Sequence, residues 1–201
     1  IYFACSMKDL LENVKRPNIV EIGGGLGGQA YQSIKLIKKD LKYVNFDIPE
    51  VCVLVSYFLL SAFPDKNIRL YGEGKISLDE GENYDIGIFP AYSIDCLSNT
   101  SIDLFFNSCS LSEMDRQTSL EYLSIINRTC KGFILHDNHD KKLKFINTDG
   151  TSSLNLRSSD FLPSTDKFKL IYKRLRTHGL PEDYLFKHYE YLYKSKIQIN
   201  L

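Results

Sequence analysis

The sequence predicts an α/β fold, a mostly parallel sheet with helices on both faces, in a single domain spanning residues 1–201. Three observations predict it. Apolar runs of strand length alternate with helical spacing along most of the chain, the order that a parallel sheet with crossover helices requires. A glycine-rich turn, "GGGLGG" at 23–28, joins the first such run to the helix that follows. At 201 residues the chain can bury one sizeable core, and no linker, internal repeat or low-complexity tract divides it.

The elements follow in order. Residues 6–15, "SMKDLLENVK", carry a serine cap and helical spacing at Met7, Leu10, Leu11 and Val14, and Pro17 with Asn18 breaks that helix. "NIVEIG" (18–23) reads as a short buried strand, and 29–39 as a helix with Ala30, Ile34 and Ile37 inward. "LKYVNFDI" (41–48) is a second strand. Pro49 suits the first turn of the next helix, where its missing N–H costs nothing. The run "VCVLVSYFLLSAF" (51–63) makes that helix a buried one, closed by Pro64. "NIRLYGEG" (67–74) is a short strand, and the apolar runs "YDIGIFPAYS" (84–93) and "SIDLFFNSCS" (101–110) follow a polar loop. "SEMDRQTSLEYLSIINRT" (112–129) is a helix with a serine cap, acids in its first turn, and Met114, Leu120, Leu123 and Ile126 inward. "KGFILHDNHD" (131–140) is a strand that ends in an ionisable cluster, and Asp149-Gly150 marks a turn. The aromatic-rich "FKLIYKRLRT" (168–177) and "YLFKHYEYLYK" (184–194) read as antiparallel strands joined through Gly179-Leu180-Pro181.

Composition excludes several classes. Lysine plus arginine and aspartate plus glutamate each count 25, so a formal charge of zero gives no electrostatic reason to expect nucleic acid or an anionic membrane. Lys35, Lys38 and Lys39 read as a solvated helix face. Cys5, Cys52, Cys96, Cys109 and Cys130 are odd in number, widely spaced and form no C-x-x-C pair, which argues against a disulfide framework or zinc knuckle. Four of the five sit in apolar runs, where a reduced, core-filling thiol suits a cytoplasmic protein. The longest apolar stretch, 13 residues, is too short to insert across a membrane, and no signal-peptide pattern is present. The chain begins at Ile1, so native N-terminal residues are expected to precede it.

The glycine turn admits three readings. Glycines allow positive φ and let a ligand approach the backbone, and the following helix offers its N–H groups to it. Gly23, Gly25 and Gly28 satisfy the dinucleotide pattern G-x-G-x-x-G, with an acid, Asp47, about 20 residues beyond. Gly23, Gly25 and Gly27 equally satisfy G-x-G-x-G, and a purely structural turn is the third reading. Glu21 separates them, because a carboxylate at the end of the first strand opposes a pyrophosphate and suits a ligand bearing an ammonium and a sulfonium.

The acid-x-G-x-G-x-G arrangement from Glu21 to Gly27 resembles motif I of class I S-adenosylmethionine-dependent methyltransferases. Three longer stretches, "VEIGGGLGG", "NFDIPEV" and "DLFFNSCSLSEM", resemble the sugar O-methyltransferase family of bacterial polysaccharide gene clusters, over residues 17–139. The resemblance implies a Rossmann-like, mostly parallel seven-stranded sheet of order 3-2-1-4-5-7-6 with an antiparallel C-terminal strand. It implies S-adenosylmethionine as cofactor, with Glu21, Gly23 and Gly25 at the methionine portion and Asp47 and Ile48 at the ribose and adenine edge. Pro90, Ala91 and Tyr92 would flank the adenine, and Asn107 and Ser108 would lie beside the amino-acid portion and the methyl. It implies transfer to a sugar hydroxyl of a small-molecule or glycan acceptor, in polysaccharide or glycoconjugate biosynthesis. The alternatives are an NAD-dependent oxidoreductase, or a cofactor-binding domain without catalysis.

A sugar hydroxyl keeps its proton at neutral pH, so its methylation calls for a general base or a metal. The candidate bases are His136, Asp137 and His139 at the end of the fifth main strand, and Glu113 with Asp115 at the start of the helix after the fourth. Against these stand the plainer readings of a hydrogen-bonded polar loop and of acids complementing a helix dipole. His136, Asp137, His139 and Asp140 offer only two carboxylates, too few for Mg²⁺, so a divalent metal is the less favoured option. His178 and His188 read as surface or strand-packing residues, and Tyr172, Tyr184, Tyr189, Tyr191 and Tyr193 as packing with a hydroxyl at the rim. A homo-oligomer is compatible with the sequence.

Overall fold

The computed structural model describes residues 1–146, 149–176 and 188–196. The elements run α1 (Tyr2–Leu10), β1 (Asn18–Ile22), α2 (Gly28–Leu36), β2 (Lys42–Asp47), α3 (Pro49–Ala62), β3 (Ile68–Leu70), β4 (Ile86–Pro90) and β5 (Ile102–Ser108). They continue with α4 (Arg116–Thr129), β6 (Cys130–His139), β7 (Lys144–Ile146), β8 (Ser152–Leu154), β9 (Phe168–Leu175) and β10 (His188–Ser195). One sheet has the order β3-β4-β2-β1-β5-β6-β10-β9, and β7 pairs with β8 in a hairpin around Asp149-Gly150. All its pairings are parallel except those of β10, which is antiparallel to both β6 and β9. The short run at 68–70 pairs outside β4, so among the described residues the sheet has eight strands where the resemblance implied seven.

The central strands are buried on both faces, as a parallel sheet covered by helices requires. Because side chains alternate, each strand feeds two cores. Val20, Ile22, Val44, Phe46, Phe105 and Ile134 pack with Leu123 and Ile126 of α4. Ile19, Tyr43, Ile86, Leu104, Phe106, Leu135 and Leu192 pack on the other face with Met7, Ala30, Val55 and Leu59 of α1–α3.

Several local expectations are corrected. Helix α1 starts at Tyr2, because Phe3, Ala4 and Met7 form its buried stripe, and Ser6 sits inside it with Oγ donating to the Tyr2 carbonyl. Asp115, not Ser112, caps α4, accepting from the N–H groups of Gln117 (3.0 Å) and Thr118 (3.2 Å). Ser112 is buried in the tight turn before it. Helix α3 begins at Pro49 as expected, but only Cys52, Val55 and Leu59 are buried, while Val53, Leu54, Tyr57 and Leu60 are exposed, because one flank alone meets the sheet. Of the cysteines, only Cys52 and Cys130 fill the core; Cys5 and Cys96 are exposed and Cys109 is half-buried. The turn at 179–181, His178 and Tyr184 lie outside the described residues. Among the described residues no helix is long and apolar enough to cross a membrane.

Candidate functional site

The carboxyl ends of the parallel strands lie side by side. The register sets Ile22 beside Phe46 and Asn107, Asp47 beside Pro90, and Ser108 beside Asp137. Such an edge is where ligand crevices form in open α/β sheets. There the glycine turn folds back onto the sheet. Gly23 leaves β1 at φ 72°, and a Cβ on Gly24 would stand 2.2 Å from Asn45 Oδ1 and 2.8 Å from Glu21 Oε2. The loop therefore rests on Glu21 and Asn45, and only glycine permits that approach. Gly24 N–H donates to Asn45 Oδ1 (3.2 Å) and Gly25 N–H to Asp47 Oδ2 (3.0 Å).

Two carboxyls frame this loop. Glu21 is 3% exposed and accepts a 2.8 Å hydrogen bond from the Tyr43 hydroxyl. Burial pushes its carboxyl from the ordinary 4.5 up to about 7, Tyr43 opposing the shift and the Asp47 charge adding to it. Asp47 is half-buried; burial raises its carboxyl as well, against the N–H bonds from Ile48 and Gly25. Each of its oxygens retains capacity for a further donor. A cleft of about 440 Å³ opens beside Glu21, lined also by Gly23, Gly24, Gly25, Gln29 and Ser108, with Ile1, Tyr2, Phe3, Phe106 and Arg176 completing it. A cleft of about 490 Å³ lies at the opposite, amino ends of the strands beside Asn18, Lys42, Asp103 and Lys131, away from the glycine turn.

Alternation along the strands sorts the expected residues. Glu21, Asp47, Ser108 and Asp137 keep step with residues of the α1–α3 face, whereas Asn107 and His136 keep step with Phe105 and Ile134 on the other. His136 is accordingly fully buried, stacked on Tyr191 at 4.8 Å and edge-on to Phe161 at 4.9 Å, with no hydrogen-bond partner for either nitrogen among the described residues. Burial drives its pKa down to about 3. It is a core histidine and not a base, which corrects the expectation. Asn107 is engaged within the sheet: Nδ2 donates to the Ile22 carbonyl (2.7 Å), and Oδ1 accepts from Asn138 Nδ2 (2.8 Å), so it fastens β1 to β6.

Asp137 lies fully buried under Ser108, accepting from Ser108 Oγ (3.3 Å) and from Arg176 Nη1. Burial raises its carboxyl and Arg176 opposes this. His139 ends β6 nearly buried, its Nδ1 accepting from the Lys141 N–H at 3.2 Å, and burial lowers its pKa. Glu113 is exposed in the turn before α4. Asp115 is committed to its cap, and Asp140 accepts from the Ser159 N–H (2.7 Å). With His136 on the opposite face, the set His136, Asp137, His139 and Asp140 does not converge on a cation. Pro90 is buried beside Asp47, Ile48 is exposed, and Ala91 and Tyr92 open a short turn in which Tyr92 meets Tyr71 edge-to-face at 5.8 Å. Tyr191 and Tyr193 are packing residues, as expected, but the Tyr191 hydroxyl is buried instead of lying at the rim.

The residues that sequence reasoning missed are Tyr43, Asn45 and Arg176. Asn45 had a signal, since it alternates in step with Asp47 among the apolar Tyr43, Val44 and Phe46. Arg176 had none, because the register of the last strands is not written in their composition.

No family model matches the sequence, and no curated protein matches it. Solved structures do match. The mitomycin 7-O-methyltransferase MmcR is 12% identical with TM-score 0.58, over 96% of this chain and 52% of that one. A protein from Pyrococcus horikoshii OT3 is 12% identical with TM-score 0.57, over 96% and 91%. The 1,6-didemethyltoxoflavin-N1-methyltransferase of Burkholderia thailandensis, solved with S-adenosylhomocysteine, is 13% identical with TM-score 0.57, over 96% and 76%. The chain thus spans about half the length of the mitomycin enzyme. At these identities the likeness shows the fold, a Rossmann-like class I methyltransferase sheet.

Proposed function

We propose that a chain with this fold and this glycine turn is an S-adenosylmethionine-dependent methyltransferase that acts on a sugar hydroxyl. The observation that carries the reading is the pair of carboxyls framing the loop. Glu21 is buried beneath it with a carboxyl near neutrality, and Asp47 closes the neighbouring strand with spare acceptor capacity. A cationic ammonium and sulfonium would stabilise the ionised form of Glu21, whereas the phosphates of a dinucleotide would oppose it. Asp47 suits a pair of ribose hydroxyls, with Ile48, Pro90 and Ala91 at the adenine side. The cleft, at about 440 Å³, falls within the usual range for cofactor sites.

The methyl would be transferred near Ser108, and the chain's part in the reaction is chiefly alignment of acceptor oxygen, methyl and sulfur. With His136 in the core and Asp137 buried against Arg176, His139 and Glu113 remain as candidates to receive the acceptor proton. The sugar acceptor rests on the resemblance of "NFDIPEV" and "DLFFNSCSLSEM" to the sugar O-methyltransferase family.

Calorimetric titration with S-adenosylhomocysteine tests the donor. Binding should weaken by about 10- to 100-fold in Asp47→Ala, the worth of a charge-assisted hydrogen bond of about 1.5–3 kcal/mol. Absence of binding at millimolar ligand, or tighter binding of NADH, overturns the reading. Methyl transfer to free, nucleotide-linked and polymeric sugars tests the acceptor, and transfer to phenols or amines instead would replace it.

A further inference from the structure

Beneath Ser108, three side chains from separate elements bring different donor atoms to one point. Cys109 follows β5, Asp137 lies in β6 and His188 opens β10. Cys109 Sγ is 3.8 Å from His188 Nδ1 and 3.9 Å from Asp137 Oδ2, and His188 Nδ1 is 3.9 Å from the same Oδ2. These atoms form a nearly equilateral triangle. Its side divided by the square root of three puts the centre about 2.2 Å from each atom. Zinc takes ligands at about 2.3 Å from sulfur, about 2.0–2.1 Å from imidazole nitrogen and about 2.0–2.2 Å from carboxylate oxygen.

We propose that Cys109, Asp137 and His188 form a zinc(II) site whose fourth position opens toward Ser108. The donor set fits the metal, for thiolate and imidazole favour zinc where a hard cation such as Mg²⁺ requires several oxygens. The site is built into the fold. Asp137 and His188 are almost fully buried, and Asp137 Oδ1 has no hydrogen-bond partner among the described residues, an uncompensated buried acceptor. The Cys109 N–H is anchored to the Asp137 carbonyl at 2.8 Å, which fixes the thiol over the strand. Ser108 Oγ lies 3.3 Å from Asp137 Oδ2 and 3.5 Å from Cys109 Sγ and also lines the cleft, so the remaining coordination position faces the crevice side. Three protein ligands with one open position is the pattern of reactive rather than purely structural zinc sites.

Arg176 supplies a counter-charge to Asp137. Its Nη1 donates to Asp137 Oδ2 and lies 3.7 Å from Cys109 Sγ, touching two of the three ligand atoms. Guanidinium and metal therefore compete for the same carboxylate oxygen. This competition gives the site a signature that casual binding at an exposed cysteine lacks. The site does not depend on the methyl-transfer reading and stands or falls by metal binding alone.

The test strips the full chain with a chelator and titrates it with Co²⁺ and with Zn²⁺. One Co²⁺ per chain should produce a cobalt–thiolate charge-transfer band, and Cys109→Ser, folded by circular dichroism, should abolish that band. Asp137→Asn and His188→Ala should each weaken Zn²⁺ by more than the roughly 10- to 100-fold that loss of a merely supporting group causes. Arg176→Gln should tighten Zn²⁺ binding. A missing band, a band that survives Cys109→Ser, or Zn²⁺ affinity unchanged or weakened in Arg176→Gln overturns the proposal. The last variant keeps the test decisive should any ligand variant fail to fold.

Discussion

Replacing Glu21 by glutamine should stabilise the ligand-free protein at high pH and leave it unchanged at low pH. The buried carboxyl titrates near 7 in the folded chain against 4.5 when exposed, so the folded state holds this proton more tightly than the unfolded one. Unfolding then releases a proton between those two values, and stability falls as pH rises through that window. The penalty is absent below 4.5, fully expressed above about 7, and amounts to about 3 kcal/mol at 1.36 kcal/mol per pH unit. Glutamine has the shape of glutamate, can still accept from the Tyr43 hydroxyl, and has no charge to bury. Urea unfolding of both proteins at pH 5 and pH 8 measures the effect, since every other titrating group is common to the pair. The gain in the variant over wild type should be larger by about 2–3 kcal/mol at pH 8 than at pH 5. Calorimetry of S-adenosylhomocysteine over the same range should show wild-type affinity rising with pH, as the ammonium meets an ionised Glu21, and a flatter profile in the variant. A stability difference that is the same at both pH values would refute the buried-carboxyl argument.

Three other substitutions probe the remaining structure. Gly24→Ala places a Cβ against Asn45 Oδ1 and Glu21 Oε2 at 2.2 and 2.8 Å, so thermal melts should show a loss of about 1–3 kcal/mol and calorimetry a loss of cofactor affinity. Asp115→Ala removes the cap of α4 and should cost about 1 kcal/mol in urea unfolding with no change in cofactor affinity. His136→Phe keeps the stack on Tyr191 and Phe161 and removes two buried nitrogens that have no hydrogen-bond partner among the described residues, so stability should hold or rise by about 1–3 kcal/mol. Methyl transfer in that variant should persist, and its abolition in a folded His136→Phe protein would restore His136 as a catalytic candidate.

The sequence was most legible where local physics decides. The alternation of apolar runs and helical spacing announced the parallel sheet, Pro49 marked the start of α3, and Asp149-Gly150 marked the hairpin turn. The glycine turn and its two acids stand together at the strand ends, as their spacing along β1 and β2 suggested. It was least legible where a long apolar run meets solvent. Nothing in 51–63 tells Val53 and Tyr57, which are exposed, from Val55 and Leu59, which are buried, because that depends on which flank of the helix the sheet covers.

By itself the sequence determined the chemistry available to this protein: a glycine turn that admits a ligand, an acid on each side of it, and a strand ending in His136, Asp137 and His139. Only the tertiary structure decided which of these groups work together. Side chains along a strand alternate, so one residue of phase separates Asp137, beside Ser108, from His136, which the same strand sends into the opposite core. Pairing of β10 with β6, between segments far apart in the chain, then brings His188 next to Asp137 and Cys109, three residues whose positions 188, 137 and 109 carry no mutual signal. Local patterns are written in neighbouring residues; convergence depends on register between distant strands, and register is fixed only when the whole sheet packs.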